Sequence, residues 1–141
     1  YWDGISPSMC GVLEAVDRER KAVAALLGVE VQSLMEWLAS AYRATGSDLF
    51  ESVRANEGYR GITAPSTLEH RYILEDVPMS LVPIASAGRA FGLNTRAIEA
   101  LILMAGLMMD TNFWTRGRTL ESLELAGLSP GEIRRIAEMG A

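Results

Sequence analysis

The sequence predicts an all-α fold of about seven helices, and three observations predict it. Apolar residues recur every three or four positions in one segment after another, the spacing of a single helix face. No stretch alternates apolar and polar residues in the manner of a half-buried strand. The segments are also punctuated as helices are, with Ser, Thr or Asp before them and Gly after them. With 141 residues, 49% hydrophobic and 22% charged, the chain is long enough for one domain with a real core and too apolar for general disorder.

The elements follow in order. Ser6-Pro7 opens the first helix, Ser6 as cap and Pro7 at the position where its missing N–H costs nothing. Val12, Val16, Val23 and Leu27 mark its apolar face, and Gly28 stops it. Glu14/Arg18 and Asp17/Lys21 are favourable i,i+4 pairs, and the run from Asp17 to Lys21 reads as a solvated face. A second helix spans Val31 to Arg43, with Leu34, Trp37, Leu38 and Tyr42 on its core side and Gly46 ending it. Ser47-Asp48 begins a short helix carrying Leu49, Phe50 and Val53.

From Asn56 to Thr67 the periodicity breaks at Gly58, Gly61 and Pro65. This irregular stretch leads into His70-Arg71-Tyr72-Ile73-Leu74-Glu75-Asp76-Val77-Pro78, which holds the only histidine. Together they make about twenty residues of irregular chain, a length that compact domains reserve for function. Pro78 disfavours helical backbone at Val77, so a new element begins near there. Helix resumes to Phe91 and stops at Gly92, with a kink or restart at Pro83.

Thr95 is placed to cap the next helix, Arg96 to about Met109, whose residues are apolar nearly all round. Such a helix is buried on all sides, either central to the domain or half of a subunit interface. Asn112 to Arg118 is irregular, Thr119 caps a short helix with Leu120, Leu123 and Leu125, and Ser129 with Glu132 forms a capping box for a last helix to Met139.

Several function classes are excluded. A net charge of −5 and a pI of about 4.9 argue against binding a nucleic-acid backbone. The apolar run Ala100 to Met109 is far short of the roughly 20 residues that span a bilayer. The start at Tyr1-Trp2 has no signal-peptide pattern, and the two large aromatics read as residues that packed against preceding structure in a longer chain. The single cysteine, Cys10, forms no intrachain disulfide, which fits a reducing, cytoplasmic setting. A lone histidine offers no metal site, and no glycine-rich phosphate loop or nucleophile elbow is present.

What remains is Arg71, Asp76 and His70. The planar guanidinium of Arg71 suits a substrate carboxylate, and Asp76 suits the orientation of a histidine base. Bland readings stand beside these: Arg71–Asp76 as an internal ion pair, Asp76 as a helix cap, and His70 as a structural histidine.

Gly4-Ile5-Ser6-Pro7-Ser8, Glu14-Ala15-Val16-Asp17-Arg18-Glu19-Arg20, Tyr59-Arg60-Gly61-Ile62, and His70-Arg71-Tyr72 with Glu75-Asp76-Val77-Pro78 together resemble the C-terminal helical domain of the octopine/nopaline (opine) dehydrogenase family. The resemblance runs from about Gly4 to Gly127 and is most specific in the HRY and EDVP blocks. It implies a fold like the C-terminal domain of 6-phosphogluconate dehydrogenase, over residues 1–141. It also implies a reductive condensation of an amino acid with an α-keto acid, using NAD or NADP bound by an N-terminal Rossmann domain outside this chain. By the resemblance Asp76 is the catalytic aspartate and Arg71 binds substrate, with His70 and Tyr72 as possible supporting residues. The family's proton-donating histidine lies upstream of residue 1, so this chain alone is expected to be inactive and to bind no NADH. The second reading is a non-catalytic helical interaction or dimerisation module.

Overall fold

A computed structural model describes residues 1–140, and the described residues are helices and loops with no strand. The α-helices are α1 (Pro7–Leu26), α2 (Leu34–Tyr42), α3 (Leu49–Arg54), α4 (Arg71–Leu74), α5 (Val82–Ala90), α6 (Arg96–Met109), α7 (Phe113–Arg116) and α8 (Pro130–Met139). A 3-10 turn occupies Glu57–Tyr59, and a π turn occupies Val77–Leu81.

The spine is α1. Ser6 Oγ accepts from Met9 N at 3.2 Å and Pro7 starts the helix, as the local sequence dictates. Twenty residues rise about 30 Å, enough to serve three apolar clusters in turn. Cys10 joins Leu38, Ala44, Leu49 and Val53; Val16 packs against Val77, Val82, Ala85, Ile98, Ile102, Ala105 and Phe113; Val23 joins Ala87, Leu120 and Ile133. The helix read as either central or half of a subunit interface, α6, lies against α1 and is buried on one face only. Ile98, Ile102 and Ala105 are buried, whereas Leu103, Met104, Leu107 and Met108 form an exposed stripe with Leu107 76% accessible. Composition alone cannot reveal which apolar face has a partner.

The run Asp17 to Lys21 is not a solvated face. Asp17 takes Arg20 at 2.7 Å and accepts from Leu34 N at 3.0 Å, which fixes the entry to α2. Glu19 accepts from Ala97 N and Ile98 N, at 2.8 and 2.9 Å. A carboxylate on α1 thus caps α6, the role expected of Thr95, whose hydroxyl instead reaches Glu99 at 3.1 Å. Lys21 pairs across to Glu36 at 3.8 Å rather than with Asp17, and among the described residues Glu14 and Arg18 form no ion pair. Glu19→Gln keeps the length but sets an NH₂ against one of two N–H donors. A loss of about 1–2 kcal/mol is expected, read as a lower urea midpoint with an unchanged slope. A midpoint equal to that of the parent chain would show that solvent caps α6 equally well.

Other boundaries moved for local reasons. Ser33 and Glu36 make a reciprocal capping box, so α2 starts at Leu34 rather than Val31. It ends on Arg43 in the left-handed region, φ 55°, before Gly46. Trp37 and Tyr42, expected in the core, are exposed and pack edge-to-face on each other at 5.1 Å. After α7, residues from Thr119 form turns instead of a helix, with Ser122 N on Thr119 Oγ1. The capping box at Ser129/Glu132 starts α8 as read from the sequence. Tyr1 and Trp2 pack on this chain itself, Tyr1 stacked on Tyr59 at 5.0 Å and Trp2 under the Arg60 guanidinium at 4.4 Å.

The segment after the histidine is shaped by two prolines. An element does begin at Val77, but as a π turn in which Val82 N reaches Val77 O. That leaves the Pro78 carbonyl without a helical donor, because Pro83 has no N–H to offer at the π spacing. Arg118 N supplies it at 3.0 Å. The approach is possible because residue 117 is glycine: a Cβ there would meet Val82 Cγ1 at 2.5 Å and Phe113 O at 2.8 Å.

Candidate functional site

The segment from His70 to Asp76 is not an unstructured loop. His70 caps the single turn of α4, its Nδ1 accepting from Tyr72 N at 3.3 Å. That use of Nδ1 matches the structural reading of the histidine and leaves Nε2 as the ring's remaining polar atom. The imidazole meets the Tyr72 ring edge-to-face at 4.4 Å. Inward, Ile73 packs against the central cluster, and Val77 and Pro78 are buried, so the turn is anchored on its apolar side.

Its polar side faces out. Arg71 pairs with Glu75 at 3.2 Å and not with Asp76, so the internal Arg71–Asp76 pair offered as an alternative reading is absent. Helix geometry explains the exchange: once α4 begins at Arg71, the residue four positions on is Glu75. Both side chains are more than half exposed, and an exposed i,i+4 pair contributes only about 0.3–0.5 kcal/mol. A ligand carboxylate can therefore displace Glu75 at small cost. Asp76 precedes the π turn without capping it, and no hydrogen bond or ion pair to its carboxylate occurs among the described residues.

Nothing in the local sequence pattern relates Tyr1 to this segment. Its ring stacks on Tyr59 at 5.0 Å. Burial, then Tyr72, then the charge of Asp76 push the Tyr1 phenol above its ordinary value, so it stays a neutral hydroxyl. No local pattern links positions 1 and 72; the only signal was an aromatic residue just before the Ser6-Pro7 cap.

The cluster is open surface. Grooves lie elsewhere, among them one of about 560 Å³ along α1 and α2 lined by Leu13, Val16, Leu34 and Trp37, and one of about 460 Å³ beside α6 and α7. Among the described residues no three His, Cys, Asp or Glu side chains gather to hold a metal, and no helix is long and apolar enough to cross a membrane. An exposed Arg71 and, among the described residues, an Asp76 without a hydrogen-bond partner thus stand on one turn whose apolar side packs against the core.

Comparisons with known proteins bear on the family and the fold. The family model for the NAD/NADP octopine/nopaline dehydrogenase alpha-helical domain matches residues 1–109. An opine dehydrogenase from Arthrobacter sp. (strain 1C) is 40% identical over 98% of this chain and 38% of its own length. A vitopine synthase from Allorhizobium ampelinum is 28% identical over 90% of this chain and 35% of its own. The chain thus spans little more than a third of these relatives. An octopine dehydrogenase solved with NADH and agmatine shares the fold with a TM-score of 0.71, at 20% identity over 88% of this chain and 40% of that one. A second, with NADH and L-arginine, gives 0.68 at 22% identity, over 78% of this chain and 32% of that one.

Proposed function

The chain belongs to the octopine/nopaline dehydrogenase family as its alpha-helical domain, and from that premise we propose that it is the substrate domain of an NAD(P)H-dependent opine dehydrogenase. The observation that carries the reading is the pairing, on one exposed turn, of a guanidinium whose partner is easily displaced with a carboxylate that has none among the described residues.

In the proposed reaction the amine of an amino acid condenses with the carbonyl of an α-keto acid, releasing water and forming an imine. The reduced nicotinamide supplies the hydride to the imine carbon, and a proton completes the secondary amine. Arg71 holds a substrate carboxylate through two parallel hydrogen bonds. Asp76 orients the upstream histidine of the parent and stabilises its imidazolium. Tyr72 and His70 support that surface, Tyr72 as a further hydroxyl donor and His70 by capping the turn. Among the described residues no strand leads through a glycine-rich turn into a helix, the arrangement that holds a dinucleotide pyrophosphate. In this reading, as the family resemblance implies, the coenzyme sits on an N-terminal Rossmann domain of a longer, cytoplasmic parent.

The test is kinetic. Full-length parent supplied with NADH or NADPH, pyruvate and each common L-amino acid should oxidise coenzyme only when both organic substrates are present. Oxidation with pyruvate alone, undiminished without any amine, would mean simple ketone reduction and contradict the proposal.

The exposed stripe Leu103, Met104, Leu107 and Met108 favours a homodimer as part of the same reading. Sedimentation of the full-length parent should give a dimer that Leu107→Glu converts to monomer. A parent that sediments as monomer at all concentrations would remove this part and leave the catalytic assignment standing.

A further inference from the structure

Arg71 faces solvent because of the π turn that follows it. Glu75 N donates to Arg71 O at 2.8 Å and Met79 N to Glu75 O at 2.9 Å, so α4, the π turn and α5 form one helical run. Arg71 stands eleven residues before Val82, which is wholly buried. Eleven residues are close to three α-helical turns of 3.6. In an unbroken α-helix Arg71 would therefore share the buried face of Val82, and so would Glu75, seven residues before it. The π turn takes one residue more than an α turn, which rotates the chain before it by about 100° against α5. Val77 then falls on the core face with Val82, Ile73 follows one turn back, and both pack in the central cluster. Arg71 and Glu75 are left outside, their side chains 71% and 59% exposed.

What holds this register comes from a distant part of the chain. In the α register Val82 N would donate to the Pro78 carbonyl, four residues back. That carbonyl is taken by Arg118 N at 3.0 Å, and Val82 N donates to Val77 O instead. The loop that carries the Arg118 amide is fixed on both sides of it. Gly117 sits where a Cβ would collide with Val82 and with the Phe113 carbonyl. Leu120 N donates to the buried Ser86 Oγ of α5 at 2.9 Å.

We propose that the Arg118 amide is a positioning group of the substrate site: by occupying the Pro78 carbonyl it keeps the π register, which turns Arg71 off the core face and toward the substrate carboxylate. The inference rests on the reading of the α4 turn as the substrate face. The Arg118 side chain is exposed and takes no part. Arg118 touches no substrate; it acts through Arg71.

The test uses the full-length parent in its NADH complex, titrated calorimetrically with pyruvate and with the amino acid of highest turnover in the screen above. Arg118→Pro removes the N–H. Gly117, at φ −85° and ψ 166°, already has the extended backbone that precedes a proline. Affinity for one carboxylate substrate should fall about threefold to tenfold, the scale of leaving one side chain unfixed. Arg118→Ala keeps the N–H and should bind as the parent does, and NADH affinity should hold in both variants. Arg71→Ala should weaken the same substrate at least as much. The double variant Arg71→Ala/Arg118→Pro should match Arg71→Ala alone, because no guanidinium is left to position. If the melting curve shows Arg118→Pro unfolded, Gly117→Ala replaces it, its Cβ pushing the amide away from Pro78 with the same expected loss. A loss in Arg71→Ala with none in Arg118→Pro overturns the inference and spares the substrate-face reading. An equal loss in Arg118→Ala, or additive losses in the double variant, overturns it too. Normal affinity in Arg71→Ala removes the substrate-face reading and the inference with it.

Discussion

Asp76→Asn in the full-length parent is expected to lower kcat by about tenfold or more, equivalent to about 1.4 kcal/mol of transition-state stabilisation. Asn keeps the shape of the side chain and removes the charge that favours an imidazolium. Without that charge the histidine's pKa falls, so the limb of the pH profile that needs protonated histidine moves to lower pH. Folding should hardly respond. The carboxylate caps nothing and has no hydrogen-bond partner among the described residues, so Asn and Ala should both leave stability within about 0.5 kcal/mol. Had Asp76 been a helix cap, Ala would cost about 1 kcal/mol and Asn much less. Unchanged turnover and pH profile in Asp76→Asn would withdraw its catalytic assignment.

The parts of the fold legible in the sequence are those fixed by residues a few positions apart. Ser6-Pro7 starts α1, Asp48 caps α3, and Ser129 with Glu132 starts α8, because each cap satisfies donors one turn away. Arg71 with Glu75 was legible by the same rule, had the turn been set to begin at Arg71 rather than read as loop. What the sequence concealed depends on distant partners. Glu19 resembles any solvated helix glutamate until α6 brings Ala97 N and Ile98 N to it, 78 and 79 positions along the chain. Trp37 and the stripe Leu103 to Met108 have core composition yet face outward, since periodicity identifies an apolar face but not its neighbour.

The candidate site divides along the same line. Arg71 and Asp76, with the roles proposed for them, stand out in a seven-residue stretch, and so does the proline that follows it. Their mutual independence does not, because it follows from where the helical turn begins. The π turn needed Pro78, Pro83 and the amide of Arg118 to be considered together. The row of rings from Tyr1 through Tyr59 and Tyr42 to Trp37 joins positions that no local pattern connects.

The most direct measurement of the central claim is calorimetric titration of the full-length parent and its Arg71→Lys variant, first with NADH and then, in the NADH complex, with the amino acid of highest turnover and with pyruvate. Lysine keeps the positive charge and loses the planar fork that makes two parallel hydrogen bonds. NADH should bind both proteins equally, while the affinity for one carboxylate substrate should fall about tenfold, the value of one charge-assisted hydrogen bond. Melting temperatures should agree, because an exposed i,i+4 pair with Glu75 carries little stability. Equal substrate affinity in the two proteins, with folding intact, would show that Arg71 does not hold the substrate and that this surface is not the substrate face.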